Sequence, residues 1–110
     1  MPQTFRVYWG PKTGRETLNF NWPPIEANSV VIVTASEYIL RPGERFPDQD
    51  NQRFIGEANV TVSNVAPHGP PWDANNGVTF VLNVDWPNPI QIATDITVLD
   101  PPPPANVQNQ

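Results

Sequence analysis

The chain has 110 residues, no cysteine, and a formal charge of −5 from 6 basic and 11 acidic residues. The length fits one domain that can bury roughly two-thirds of its unfolded surface without disulfides. The lack of cysteine excludes thiolate chemistry, and the shortage of cations argues against nucleic acid or an anionic membrane surface as partner.

The first ten residues, MPQTFRVYWG, lack the cationic start and continuous apolar stretch of a secretory signal peptide. No run approaches the roughly 18 apolar residues of a spanning helix. We therefore expect no membrane insertion, while the compartment stays open.

Alternation of apolar and polar residues is the dominant pattern, and no segment keeps a helical period. In chain order it predicts strands over residues 4–9, 17–22, 29–35, 37–41, 53–56, 58–65, 77–86 and 90–99. Turn signals rich in Gly, Pro and Asn separate these segments. The pattern predicts an all-β chain with a single antiparallel β-sandwich of about seven strands; a small barrel or jelly roll is the alternative.

The two segments with the strongest alternation, residues 77–86 and 90–99, are expected to pack together. The apolar faces of 78–86 and 90–98 should turn to one core. Because only residues 87–89 join them, the two segments are predicted to be antiparallel neighbours.

The organisation along the chain is simple. Residues 1–100 are predicted to form the sandwich domain, and residues 101–110 a Pro-rich tail. Its four prolines favour a polyproline II stem that cannot extend a sheet, so we expect an arm or a disordered end.

A short motif occurs twice, as NFNWPPI over residues 19–25 and as NVDWPNPI over residues 83–90. In both copies the Trp, Trp22 or Trp86, lies on the same strand face as the apolar residues before it. This favours a core-capping Trp followed by a Pro that ends the ladder. The alternative is a Trp at the sheet rim that stacks against a sugar ring.

Catalytic and metal-binding patterns are weak. His68 is the single histidine, no serine sits in a nucleophile elbow, and no zinc or dinucleotide motif is present. The Asp48–Asp50 loop lacks the glycine and the final acid of a calcium loop. We expect neither a catalytic site nor a metal or other cofactor, so the chain is predicted not to be an enzyme.

Two functions fit this composition. The first is a lectin-like module that binds carbohydrate through Trp, Asn and Asp residues without catalysis. The second is a structural subunit that assembles with copies of itself, in a larger particle or filament. The expected partners are therefore a glycan or further copies of the chain, and the second function implies a homo-oligomer.

For a glycan binder, the candidate site is the loop APHGPPWDANNG over residues 66–77. Trp72 follows two prolines that restrict the backbone and belongs to no alternating strand. Asp73, Asn75, Asn76 and His68 offer donors and acceptors for hydroxyl groups. The alternative is that Trp72 folds back and covers the open end of the sandwich.

Overall fold

The structure, a computed structural model, describes residues 2–39 and 52–110. The predicted loop with Asp48 and Asp50 lies outside these residues. The strands are β1 (Gln3–Lys12), β2 (Gly14–Asn21), β3 (Val30–Ile39), β4 (Gln52–Phe54), β5 (Asn59–His68), β6 (Gly77–Asp85) and β7 (Ile90–Leu99). The segments predicted separately over 29–35 and 37–41 overlap one strand, β3, with residues 40 and 41 outside the described residues, and the segment 53–56 contributes only the end of β4.

The strands form two antiparallel sheets, ordered β1-β7-β3-β4 and β2-β6-β5. The two orders share no strand, so the sheets stay separate and form a sandwich rather than a barrel. The sandwich prediction is therefore confirmed. β3 lies inside its sheet, where it pairs with β7 on one side and with β4 over Glu37–Ile39 on the other.

The core lies between β6 and β7. The alternation in β6 turns Val78, Phe80, Leu82 and Val84 inward, and each is at most 1% exposed. In β7, the inward residues Ile92, Ile96 and Val98 belong to the same buried cluster. The prediction that both segments face one core is confirmed.

The prediction that these two segments are antiparallel neighbours is wrong. β6 pairs with β2 and β5, whereas β7 pairs with β1 and β3 in the opposite sheet. The link between them therefore crosses the sandwich. Pro87 and Pro89 have no N–H to continue a hairpin ladder, and the N–H of Trp86 bonds to the carbonyl of Val84 at 3.0 Å. The short connection thus joins two layers instead of two neighbours.

Two irregularities adjust the alternation. In β1 the register shifts between Tyr8 and Gly10, where Gly10 has φ 79°, and Trp9 is the extra residue. Trp9 still packs on the core, and its Nε1 donates a 2.8 Å hydrogen bond to Oγ1 of Thr94. This bond satisfies the hydroxyl of Thr94, which is only 1% exposed.

The second shift lies in β5 between Ser63 and Ala66, where Asn64 has φ 54°. Asn tolerates this left-handed conformation better than most residues. The bulge keeps Val62 and Val65 half-buried against the core although they are three positions apart. A strict period of two would have turned one of them to solvent.

The tail leaves the sandwich after β7. Residues 102–110 are exposed, and a 3-10 turn spans Pro104–Asn106. Pro103 has φ −62° and ψ 153°, close to the predicted polyproline II conformation. Within the described residues, no helix has the length and apolar character needed to cross a bilayer.

An ion triad lies on the outer face of the β1-β7-β3-β4 sheet. Asp95 of β7 accepts two hydrogen bonds from Arg6 of β1, from Nε at 2.7 Å and from Nη2 at 3.1 Å. Arg53 of β4 donates from Nη1 to Oδ2 of Asp95 at 3.1 Å. The Arg6 side-chain hydrogen bond is the largest influence lowering the pKa of Asp95. The Asp95 carboxylate on β7 thus pairs with one arginine on β1 and one on the three-residue strand β4.

Val84→Asp should prevent folding. The side chain of Val84 is 1% exposed, so the substitution buries an unpaired carboxylate at a cost of several kcal/mol, comparable to a domain's total stability of about 5–15 kcal/mol. Asn83→Asp on the outer face of the same strand is the matched control and should fold normally. Circular dichroism and urea titration compare the two; a soluble Val84→Asp protein with near-wild-type cooperative unfolding would contradict the assigned core face.

Asp95→Asn should cost about 1 kcal/mol near pH 7, the upper range for ion pairs close to the surface. Because the folded-state pKa of Asp95 is lowered, the wild-type advantage is fully present above the unfolded pKa of about 3.9. It should disappear as the pH falls through the lower folded pKa. Urea titrations at a series of pH values measure this difference. Asp85→Asn, an exposed carboxylate on β6, serves as control; a stability gap for Asp95→Asn that is unchanged at low pH would refute the triad's role.

Candidate functional site

Two loops meet at one end of the sandwich. Residues 22–29 join β2 to β3, and residues 69–76 join β5 to β6. The N–H of Trp22 donates to the carbonyl of Asn76 at 2.8 Å, and Nδ2 of Asn76 donates to the carbonyl of Pro23 at 3.1 Å. We call the surface of these two loops the loop end. One backbone–backbone hydrogen bond and one side-chain–backbone hydrogen bond therefore join the two loops.

Local hydrogen bonds shape the 69–76 loop. The carbonyl of Gly69 accepts from the N–H groups of Trp72 at 3.2 Å and Asp73 at 3.0 Å. Oδ1 of Asp73 then accepts from the N–H of Asn75 at 2.9 Å, as in an Asx turn. A Cβ at Gly69 would lie 3.0 Å from Oδ1 of Asn76 and 3.3 Å from the backbone nitrogen of Ala27. Glycine therefore allows the two loops to approach closely.

Trp72 projects from this loop into solvent. Its exposed fraction is 84%, so the alternative in which it covers the end of the sandwich is wrong. Trp22 and Trp86 of the repeated motif instead pack, half-buried, against the core. The interpretation of that motif as a strand end with a core-capping Trp is therefore confirmed. Trp72 differs because it lies within the 69–76 loop and not at the end of a strand, so no strand alternation turns its ring toward the core.

An open depression of about 420 Å³ lies beside Trp72. It combines one aromatic ring, a carboxylate and two amides with small apolar surfaces, and its lining consists of Glu26, Ala27, Asn28, Pro70, Trp72 and Asn76. The lining comes from both loops. The volume falls within the range of small-molecule sites.

Two of the five predicted site residues, Trp72 and Asn76, line this depression. Asp73 and Asn75 lie in the same loop but not in the lining, and Asp73 is engaged in the turn that holds Asn75. His68, the last residue of β5, is also outside the lining. The predicted set thus divides into residues that form the surface and residues that support it.

His68 acts as a support for the loop. Its side chain is 17% exposed. The Nδ1 atom lies 2.7 Å from the carbonyl oxygen of Asn75, which can only accept, so Nδ1 donates in this bond. The Nε2 atom lies 2.7 Å from Oδ1 of Asn19 on β2. The ring therefore links the 69–76 loop to β2.

Sequence reasoning missed Glu26 and Asn28. A tight turn places them: the N–H of Glu26 donates to Oγ of Ser29 at 2.9 Å, and the N–H of Ser29 donates to the carbonyl of Glu26 at 3.0 Å. With these backbone groups satisfied, the Glu26 carboxylate makes no hydrogen bond or ion pair with another described residue. The available signal was the polar stretch EAN directly after the first Trp-Pro motif. This stretch lies beside a loop more than 40 residues away in the chain only because of the order of the strands in the sheets.

Comparisons with protein-family models, curated proteins and solved structures return no match to this chain. Within the described residues, no group of three or more His, Asp or Glu side chains is placed to hold a metal ion. The functional argument therefore depends on the geometry of the loop end.

Trp72→Ala should leave the melting temperature nearly unchanged, because the ring has little contact to lose at 84% exposure. Trp22→Ala is the matched control: that ring packs against the core and against Phe5, with centroids 5.4 Å apart. Its removal should cost about 3 kcal/mol, as truncated core aromatics do. Calorimetry of both variants tests this assignment, and equal losses of stability would show that Trp72 has a structural role.

Proposed function

We propose that the chain is a non-enzymatic, lectin-like carbohydrate-binding module, and that its site is the depression at the loop end. The observation that carries this proposal is the 84% exposure of Trp72 at the edge of a depression that also contains Glu26, Asn28 and Asn76. Trp side chains are highly buried on average, so a Trp this exposed at the edge of a depression is a candidate ligand contact.

The chemistry of the lining suits a saccharide. A sugar ring has a face of C–H groups that can lie against the flat apolar indole, and hydroxyls around its edge that need donors and acceptors. Asn28 and Asn76 provide amide groups, and Glu26 provides a carboxylate that accepts hydrogen bonds. Such a lining, an apolar surface with a few polar groups, is typical of small-ligand sites.

Hydrogen bonds fix the conformation of the 69–76 loop, which favours ligand binding. The Gly69 carbonyl, the Asp73 turn and the His68 ring each hold the backbone on either side of Trp72. A platform that is already fixed loses little conformational entropy when a ligand binds. The packing of His68 in this support also favours binding over catalysis, because each ring nitrogen lies 2.7 Å from an oxygen atom of the protein and not beside the depression.

Binding to an array of immobilised glycans tests the proposal. The wild-type chain should bind a subset of saccharides, and Trp72→Ala should weaken that binding at least tenfold, consistent with a hot-spot aromatic contributing about 2 kcal/mol. Ile55→Ala, which truncates a fully exposed apolar side chain outside the loop end, is the control and should bind normally. Equal binding by wild type and Trp72→Ala, or no saccharide bound at all, would disprove the proposal.

A second candidate function, self-assembly, is favoured by a different surface. Five of the eight large exposed apolar side chains among the described residues lie on β3, on β4 or directly after β4: Val30, Ile32, Ile39, Phe54 and Ile55. Val30 and Ile32 lie on one face of β3 and Ile39 on the other, so these side chains flank the strand on both faces; together we call the five residues the β3–β4 margin. Apolar side chains collected along one margin are typical of association sites, and the occupant we propose is a second copy of the chain.

Light scattering decides this second candidate. A discrete oligomer that dissociates when Ile32 and Ile55 are both changed to Asp would support it, with circular dichroism to establish that the variant is folded. A wild-type chain that is monomeric at all accessible concentrations would exclude it. Truncation at residue 100 separates the two routes to assembly: loss of the oligomer on truncation would assign the contact to the exposed tail instead.

A further inference from the structure

The loop end carries only negative formal charge. The two loops, residues 22–29 and 69–76, contain Glu26 and Asp73 but no Lys or Arg. A ligand approaching Trp72 therefore meets carboxylates and amides, and neither loop offers it a Lys or Arg.

The cations of the described residues lie elsewhere. Arg6 and Arg53 both pair with Asp95 on the outer sheet face, and Lys12 pairs with Glu16 at 3.4 Å. Arg15, on β2, is six residues from Asn21 at the loop end, which corresponds to about 20 Å of extended strand. Screening reduces interactions between exposed charges beyond about 8 Å at physiological ionic strength. The negative potential at the loop end is thus not balanced by these groups.

Two groups in the depression attract a cation in different ways. The Glu26 carboxylate has no hydrogen bond or ion pair with another described residue, so it keeps its full capacity for a ligand. The exposed face of Trp72 can hold a cation through its quadrupole, and Trp is the best side chain for this interaction. Both residues line the same depression.

We propose that the depression selects saccharides that bear a protonated amino group, with Glu26 as the residue that determines this preference. The inference rests on the proposed function and names the ligand class of that same site. A neutral sugar could use the Trp72 face and the amides of Asn28 and Asn76 but would gain nothing from the charge of Glu26. A uronic acid would place a second carboxylate near Glu26 without a cation to compensate it.

Three oligosaccharides of equal length provide the probes: β-1,4-linked glucosamine, its N-acetylated counterpart, and a β-linked glucuronic acid oligomer. Isothermal titration calorimetry is run at a mildly acidic pH that keeps the amine protonated. The glucosamine oligomer should bind about fivefold more tightly than the N-acetylated one, the size expected from one exposed ion pair together with one cation–π contact. The uronic acid oligomer should not bind measurably. The preference should shrink as salt is raised.

Two carboxamide variants assign the preference to a residue. Glu26→Gln keeps the size and hydrogen-bonding shape of the side chain but removes its charge, so the fivefold ratio should fall to about twofold, the part that the cation–π contact with Trp72 still supplies, while N-acetylated binding stays within about twofold. Glu57→Gln, an exposed acid between β4 and β5 at the opposite end of the sandwich, is the matched control and should keep the ratio. Thermal melts establish that both variants are folded.

The outcomes separate this inference from the proposed function. Equal or tighter binding of the N-acetylated oligomer, binding of the uronic acid oligomer, or a ratio that stays fivefold in Glu26→Gln would overturn the amino-sugar preference. In each of these cases, loss of binding in Trp72→Ala would still leave the carbohydrate site in place. If none of the three probes binds and the glycan array is also negative, the proposed function itself fails.

Discussion

The contact between the inner faces of β6 and β7 supports the rest of the structure. Each strand lies inside its own sheet and turns its apolar residues toward the other, so Phe80 and Leu82 of one layer meet Ile92 and Ile96 of the other with no exposed area. Burying each such side chain contributes about 1.5–3 kcal/mol. All other strands except β4 pair with one of these two, so their positions depend on it. β4 is attached through β3 and through the Arg53–Asp95 ion pair.

This arrangement also explains where the loops go. Because β6 and β7 lie in opposite sheets, the chain between them crosses at one end of the sandwich, and the opposite end is left to the 22–29 and 69–76 loops. The tie between Trp22 and Asn76 then brings together residues that are over 50 positions apart. The depression beside Trp72 is a consequence of this meeting, since neither loop alone supplies its lining.

The repeated Trp-Pro motif shows one local solution used in two places. In each copy the Trp covers the end of the core and the Pro stops the strand, but the chain takes a different course after each Pro. After Trp86 it crosses to β7 within a few residues, whereas after Trp22 it turns through Ile25, which is fully buried, and presents Glu26 and Asn28 at the surface. The same strand-ending device thus serves a core connection at one end and a candidate binding surface at the other.

The sequence by itself determined the secondary structure and the inner face of most strands. The reason is local: side chains in a strand alternate between two faces, so the run from Val78 to Val84 or from Ile92 to Val98 shows its buried side directly. It also marked Trp72 as a ring without a strand, because two prolines precede it and no alternating apolar residues accompany it. These inferences require no knowledge of which strands are neighbours.

The tertiary structure alone decided which strands pair and therefore which loops meet. The link over residues 87–89 is short enough for a hairpin or for a crossing between layers, and the choice depends on how both sheets bury their apolar faces together. Glu26 and Asn28 could not be assigned to the site from sequence because their place beside Trp72 depends on that choice. The sequence suggested His68 as a ligand-binding residue, whereas in the structure it supports the loop. Its two ring nitrogens lie beside Asn75 and Asn19 only because β2, β5 and β6 are neighbours in one sheet. Pairing across a long chain separation is set by the burial of the whole core, which no local pattern encodes.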